Sequence, residues 1–250
     1  MPRQQRDKSN TGYYHIMIKG NDKKDIFIDD QDKMYFIEIL KTKKENNRYD
    51  LIAFCIMDNH AHLLLQEREE DIANIMKRIN ISYVFYFNKK YKKTGHLFQD
   101  RYRSEKIEDD SYLLMATRYI HKNPVKAGIV KKAEKYKWSS YKGYIEEDTV
   151  LAKAIDKELV LGIFSEDKKE AREEFIKFTN MKEEDKFIEI DEKANRMEES
   201  QAIKLWNELA KNEESLEEKL KKFKEKTNLP LRKLAEITGF NKDKINKITK

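Results

Sequence analysis

The chain has 250 residues, with 52 Lys+Arg against 46 Asp+Glu for a formal net charge of +6, and 39% of its residues are hydrophobic. That apolar content supports a packed core, while only 7 Gly and 3 Pro exclude a collagen-like or Gly/Pro-rich disordered chain. A single cysteine, Cys55, excludes an internal disulfide framework and a Cys-rich zinc site and fits a reducing, cytoplasmic setting; the longest apolar run, LIAFCIM (51–57), is far short of the roughly 20 residues of a spanning helix, so a soluble protein without membrane contact is expected.

In chain order, YYHIMIKG (13–20) alternates and ends in glycine, which predicts a strand. DDQDKMYFIEILKTKKEN (29–46) opens on Asp caps and carries Met34, Phe36, Ile37 and Leu40 at helical spacing. RYDLIAFCIM (48–57) predicts a central strand, and DNHAHLLLQ (58–66) begins with an Asp-Asn turn signal and continues as its hairpin partner. Residues 71–91 form a long amphipathic helix, and 96–107 a loop running into a strand. EDDSYLLMATRYIHKN (108–123) reads as a helix that should stop before Pro124. The order β-α-β-β-α-β-α with antiparallel pairing describes a ferredoxin-like α+β domain, and the pattern after about residue 145 is helical to the end.

Charge divides the chain further. Residues 1–150 carry net +6, 151–220 net −7 and 221–250 net +7. Three parts are expected: a nuclease-like domain at 1–148, an acidic helical connector at 149–220, and a basic module at 221–250. The two basic parts are candidate polyanion-binding surfaces, or solvated helix faces.

Candidate chemistry centres on His60-Ala61-His62. Residues two apart on a strand point the same way, so both imidazoles leave one face, close enough to share an ion. Tyr119 and Asn123 are four apart on one helix face, and Asn123 offers a carbonyl oxygen, a hard ligand suited to Mg²⁺ or Mn²⁺. A phenolate held beside such an ion could attack a phosphodiester. Taken singly, Tyr119 reads as a half-buried core aromatic and Asn123 as a cap before proline; the combination with the histidine pair carries the functional reading. Tyr112, seven residues before Tyr119, is the competing nucleophile, but Ala116 stands where a polar partner would be. His121 falls on another helix face, as a structural or DNA-facing residue. The loop with His96, Phe98, Arg101, Tyr102 and Arg103 combines aromatic and basic groups suited to single-stranded DNA.

These residues resemble the single-tyrosine HUH transposases, in particular the REP-associated tyrosine transposases, over about residues 9–145. The resemblance lies in YHIMIKGN and IFIDDQD (within 14–32), MDNHAHLLL (57–65), GHLFQDRYRSEKIEDDSYLL (95–114), YIHKNPVKAGIV (119–130) and WSSY (138–141). It implies metal-assisted attack of a tyrosine on single-stranded or hairpin DNA, leaving a 5′-phosphotyrosine and a free 3′-OH, in a monomer or a homodimer. Tyr119 would be the nucleophile and His60, His62 and Asn123 the ligands of Mg²⁺ or Mn²⁺. Arg101, Arg103, Lys122 and Lys126 would contact DNA. The sequence departs from the family at Ala61, usually bulkier, at Lys19, more often Arg, and at Asp58, which is expected to add negative charge near the ion. A rolling-circle initiator or relaxase shares the chemistry, and a non-catalytic DNA-binding regulator could share the fold.

LRKLAEITGFNKDKINKITK (231–250) fits a helix-turn-helix. Its second helix would present Lys242, Lys244, Asn246 and Lys247 to duplex DNA.

Overall fold

The computed structural model describes residues 8–21, 24–147, 149–181, 197, 199–211, 215–227, 229 and 231–249. The chain divides into two compact units, Met1–Ile188 and Glu189–Lys250.

The first unit is built on four strands, β1 (Tyr13–Lys19), β2 (Tyr49–Ile56), β3 (His60–Glu67) and β4 (Arg103–Ile107). They form one antiparallel sheet in the order β2-β3-β1-β4. Between them run helices α1 (Asp30–Lys43) and α2 (Ile72–Tyr91), and α3 (Asp110–Lys126) follows β4. This is the expected ferredoxin-like arrangement. β1 is buried along both faces. One face carries His15, Met17, His60, His62 and Leu64, in register across the β1–β3 pair, and meets α3. The other carries Ile16, Ile18, Ala61, Leu63 and Leu65. Helices α1 and α2 pack on one another to form the layer on that side.

Helix α1 starts at a capping box in which Asp29 and Asp32 exchange hydrogen bonds with each other's backbone N–H. Its buried face holds Phe36, Ile37 and Leu40 as expected, but Met34 is 56% exposed and Lys33 is buried in its stead. Lys33, Phe36, Ile37 and Leu40 follow the i, i+3, i+4, i+7 spacing of one stripe; Met34 lies outside it. The Lys33 ammonium is kept there by Asp58, 2.6 Å away.

Helix α3 does not stop before Pro124. It continues to Lys126, and the Ala127 N–H donates to the Asn123 carbonyl at 2.9 Å. Pro124 removes one backbone donor and crowds the carbonyl four residues back, but with only two residues of α3 after it the helix is not broken. Asn123 therefore lies inside the helix rather than capping it.

Residues 141–180 belong structurally to the first unit, although 149–220 reads as a connector in the sequence. Helices α4 (Tyr141–Ile145), α5 (Val150–Ala154), α6 (Glu158–Gly162) and α7 (Lys168–Asn180) bring Tyr144, Ile155, Val160 and Phe175 into the same core as the sheet. Asp156 exchanges two bonds with Leu51 of β2: its backbone N–H donates to the Leu51 carbonyl, and its carboxylate accepts from the Leu51 N–H, both at 2.8 Å. The middle of the expected connector, 182–196, lies outside the described residues.

The second unit contains α8 (Glu199–Lys211), α9 (Leu216–Thr227), α10 (Leu231–Thr238) and α11 (Lys242–Ile248). Its core is Ala202, Leu209, Leu220, Phe223, Leu231, Leu234 and Ile245. Gly239 turns the chain between α10 and α11 at φ +74°, a conformation glycine adopts without Cβ strain. Among the described residues no helix is long and apolar enough to cross a membrane.

Candidate active site

His60 and His62 are both 1% exposed on the sheet face that meets α3. Each has its Nδ1 engaged. His60 Nδ1 lies 2.7 Å from Asn59 Oδ1, an oxygen that only accepts, so Nδ1 carries the proton and Nε2 the lone pair. His62 Nδ1 lies 2.9 Å from His15 Nε2 on the neighbouring strand. Burial pushes the His62 imidazole well below its ordinary range, with His60, His15 and Lys126 adding to the effect. At neutral pH it is the uncharged ring, the form that ligates a cation. The turn before the pair is tightly placed: the Gly20 N–H donates to the Asn59 carbonyl at 2.9 Å, and a Cβ at Gly20 would stand 2.1 Å from the Lys24 carbonyl oxygen.

From the opposite side, α3 brings Tyr119 to the histidines. Asp109 caps the helix by accepting from the Tyr112 N–H. The Tyr119 ring, 3% exposed, stands 5.6 Å from both His62 and His15, edge-on to each. Asn123 follows one turn later and is also buried. The continuation of α3 past Pro124 sets the Lys126 ammonium 4.6 Å from the centre of the Tyr119 ring.

Residues 8–123 match the family of IS200-like transposases. Over 153 residues it is 29% identical to a Haemophilus influenzae protein provisionally named a REP-associated tyrosine transposase, covering 56% of this chain and 86% of that one. Among solved structures it is similar to a REP-associated tyrosine transposase bound to a REP hairpin, at 17% identity and a TM-score of 0.49 over 59% of this chain and 87% of that one. A provisionally named transposase of Deinococcus radiodurans aligns at 17% identity and a TM-score of 0.35 over 45% of this chain and 91% of that one.

The donor set beside Tyr119 fits a hard divalent ion only as a mixed site. Among the described residues no three His, Cys, Asp or Glu side chains are grouped to hold a metal by themselves. Two imidazole Nε2 atoms and the Asn123 side-chain carbonyl are the donors on offer, with substrate oxygens or water to complete an octahedral shell.

The rival nucleophile of the domain is occupied otherwise. Tyr112 donates its hydroxyl to a Glu105 carboxylate oxygen, and burial followed by that carboxylate pushes its phenol up, making it harder to ionise. His121 is fully buried, with its Nε2 2.8 Å from Ser140 Oγ and its ring against Tyr141, Tyr144 and Phe175; its position is structural rather than DNA-facing. Asp58 does not present a spare negative charge, because Lys33 neutralises it.

The candidate DNA contacts divide by exposure. Arg101, Arg103 and Lys126 are exposed, and Arg103 of β4 sits opposite Met17, which in turn sits opposite His62. Lys122 donates to the Met181 carbonyl at 2.7 Å. In the second unit Lys244 and Lys247 are exposed and Lys242 and Asn246 half-buried, with Lys244 over the Phe240 ring. Three residues have structural importance that the sequence did not signal: Asn59, which orients His60, His15, which adjoins His62, and Glu105, which adjoins His15. The one available hint was the alternation of His15, Met17 and Lys19 on a strand facing the same way as the histidine pair.

Proposed function

We propose that this protein is a metal-dependent single-stranded DNA endonuclease and strand transferase that acts at hairpin or repeat ends through a 5′-phosphotyrosine. The observation that carries the reading is the contact of the buried Tyr119 ring with His62, beside a His60 whose Nδ1 is held by Asn59, within the residues that match IS200-like transposases. Tyr119 is the nucleophile, and His60, His62 and Asn123 hold Mg²⁺ or Mn²⁺. When bound, the ion supplies polarisation of the scissile phosphate.

Tyr119 Oη forms a bond to phosphorus as its proton leaves to solvent. The bond from phosphorus to the 3′ oxygen breaks, and that oxygen takes up a proton as the free 3′-OH. The phosphotyrosine keeps the energy of the phosphodiester, so attack by an incoming 3′-OH reseals a strand without ATP. Lys126 lies over the Tyr119 ring, where its charge favours both a developing phenolate and an approaching phosphate. Arg101, Arg103 and Lys122 extend the cationic track for the strand. Lys242, Lys244, Asn246 and Lys247 of the C-terminal module bind duplex DNA beside the cleaved strand.

The test is incubation of the protein with single-stranded hairpin DNA and Mg²⁺ or Mn²⁺. An SDS-resistant protein–DNA adduct, lost in EDTA, is expected. No adduct with either metal on hairpin substrates drawn from the repeats flanking the gene would overturn the proposal.

A further inference from the structure

We propose that His15, backed by Glu105, is a positioning residue that fixes which ring nitrogen His62 offers to the ion; this rests on the metal site proposed above. The three groups lie in a row across three strands. His15 of β1 pairs with Leu64 of β3 on one side and with Glu105 of β4 on the other, and all three side chains leave the face that meets α3. His15 Nε2 is 2.9 Å from His62 Nδ1, and His15 Nδ1 is 3.6 Å from Glu105 Oε2. The other Glu105 oxygen accepts from the Tyr112 hydroxyl, which holds the carboxylate in place. Both histidine rings are nearly or wholly shielded from water.

An ion on His62 Nε2 leaves one consistent arrangement of protons. A histidine that binds an ion through Nε2 must carry its proton on Nδ1. His62 Nδ1–H then donates to His15 Nε2, which must be an acceptor and therefore unprotonated. The proton of His15 is then on Nδ1, on the side facing the Glu105 carboxylate 3.6 Å away. Reversing the His62 or the His15 tautomer alone sets two lone pairs, or two protons, against each other at the buried 2.9 Å contact, a costly outcome. His15 is not a third ligand, since its Nε2 is taken by His62 and no trio of His, Cys, Asp or Glu is grouped for a metal among the described residues. His60 is set by a different device, the Asn59 carbonyl, so the two ligands are oriented independently.

The row also gives Tyr112 a function. It stands on the same helix as Tyr119 and resembles a second nucleophile, yet it anchors the outer end of the relay through Glu105.

Two measurements test the relay, one of them free of metal. In the metal-free protein, ¹⁵N imidazole NMR should find His62 protonated at Nδ1 and His15 protonated at Nδ1. His15→Leu, which removes the acceptor, should shift His62 toward the Nε2–H tautomer, whereas His15→Gln, whose amide oxygen can accept near the same place, should preserve Nδ1–H. In Mn²⁺ titrations, His15→Leu should bind about 10–100-fold more weakly and His15→Gln within a few-fold of wild type, the usual size of such an outer effect. A His62 protonated at Nε2 in the wild type, or Mn²⁺ affinity and tautomer both unchanged in His15→Leu, would overturn the proposal. The wild-type spectrum decides it even if a variant fails to fold. Failure of the metal site itself is separately visible, as Mn²⁺ binding that His62→Ala leaves intact.

Discussion

Lys33 and Asp58 form a buried ion pair, 2.6 Å from ammonium to carboxylate, between helix α1 and the turn that leads into the histidine strand. The side chains are 6% and 12% exposed. The Asp58 carbonyl also accepts from the N–H groups of Ile26 and Phe27, each at 2.9 Å, so this turn is fixed from two directions. Removing one partner leaves the other charged and poorly solvated, at a cost of about 3–5 kcal/mol. Lys33→Met and Asp58→Leu should each lower stability by roughly that amount, and the double variant by much less than the sum. Urea unfolding of the four proteins measures it; additive losses would show that the pair is not coupled.

The donor set makes a prediction about the metal. His60→Ala, His62→Ala and treatment of the wild type with EDTA should each remove DNA cleavage. Asn59→Ala, which frees the His60 ring to rotate, should weaken Mn²⁺ binding by about tenfold while leaving the fold intact. Calorimetric titration reads the affinity. Undiminished cleavage by the His60→Ala protein in chelator would remove the metal from the mechanism.

Acid stability should carry the signature of His121. Burial pushes this imidazole from 6.5 down to about 3. Below the higher value the unfolded chain binds a proton that the folded chain refuses until the lower one. Stability present above about pH 6.5 is therefore lost progressively as pH falls toward about 3. His121→Gln lacks the titrating ring. It should be less stable than wild type at neutral pH but lose less on acidification across that window. Thermal melts at several pH values compare the two; parallel losses would mean that His121 is not held neutral by the fold.

The order of strands and helices, the shared face of His60 and His62, and the pairing of Tyr119 with Asn123 were legible because each follows from a local period of two or of nearly four residues. What was hidden depends on partners distant in the chain. Lys33 replaces Met34 on the buried stripe because Asp58, 25 residues on, receives its charge. His15 acquires its relation to His62 only through the β1–β3 register. Residues 150–180 have a highly charged, helical composition that says nothing of which core they join, yet Val160 and Phe175 pack with the sheet. Pro124 signals a helix end in sequence, but so near the C-terminus its missing donor is tolerated.

This last packing changes where the chain can be cut. A protein ending at Ile188 should retain metal-dependent cleavage of a short single strand. One ending at Thr149 should fold poorly, since it loses Phe175 from the rings of His121 and Tyr144 and the Asp156 bonds to β2. If the C-terminal module reads duplex DNA, its removal, or Lys242, Lys244 and Lys247 changed together to Ala, should weaken binding to a hairpin-plus-duplex end. The log–log salt slope should fall by about 0.9 per lost phosphate contact. Equal affinities and slopes across salt concentrations would assign residues 221–250 another role.

The most direct measurement is the identity of the tyrosine that carries DNA. Protein reacted with a hairpin single strand in Mn²⁺ is digested with protease and nuclease, and the nucleotide-bearing peptide is sequenced by mass spectrometry. A 5′-phosphotyrosine at Tyr119 is expected, with no adduct in Tyr119→Phe despite normal DNA binding, and an adduct still formed by Tyr112→Phe. A phosphotyrosine at Tyr112, or an adduct that survives in Tyr119→Phe and vanishes in Tyr112→Phe, would contradict it.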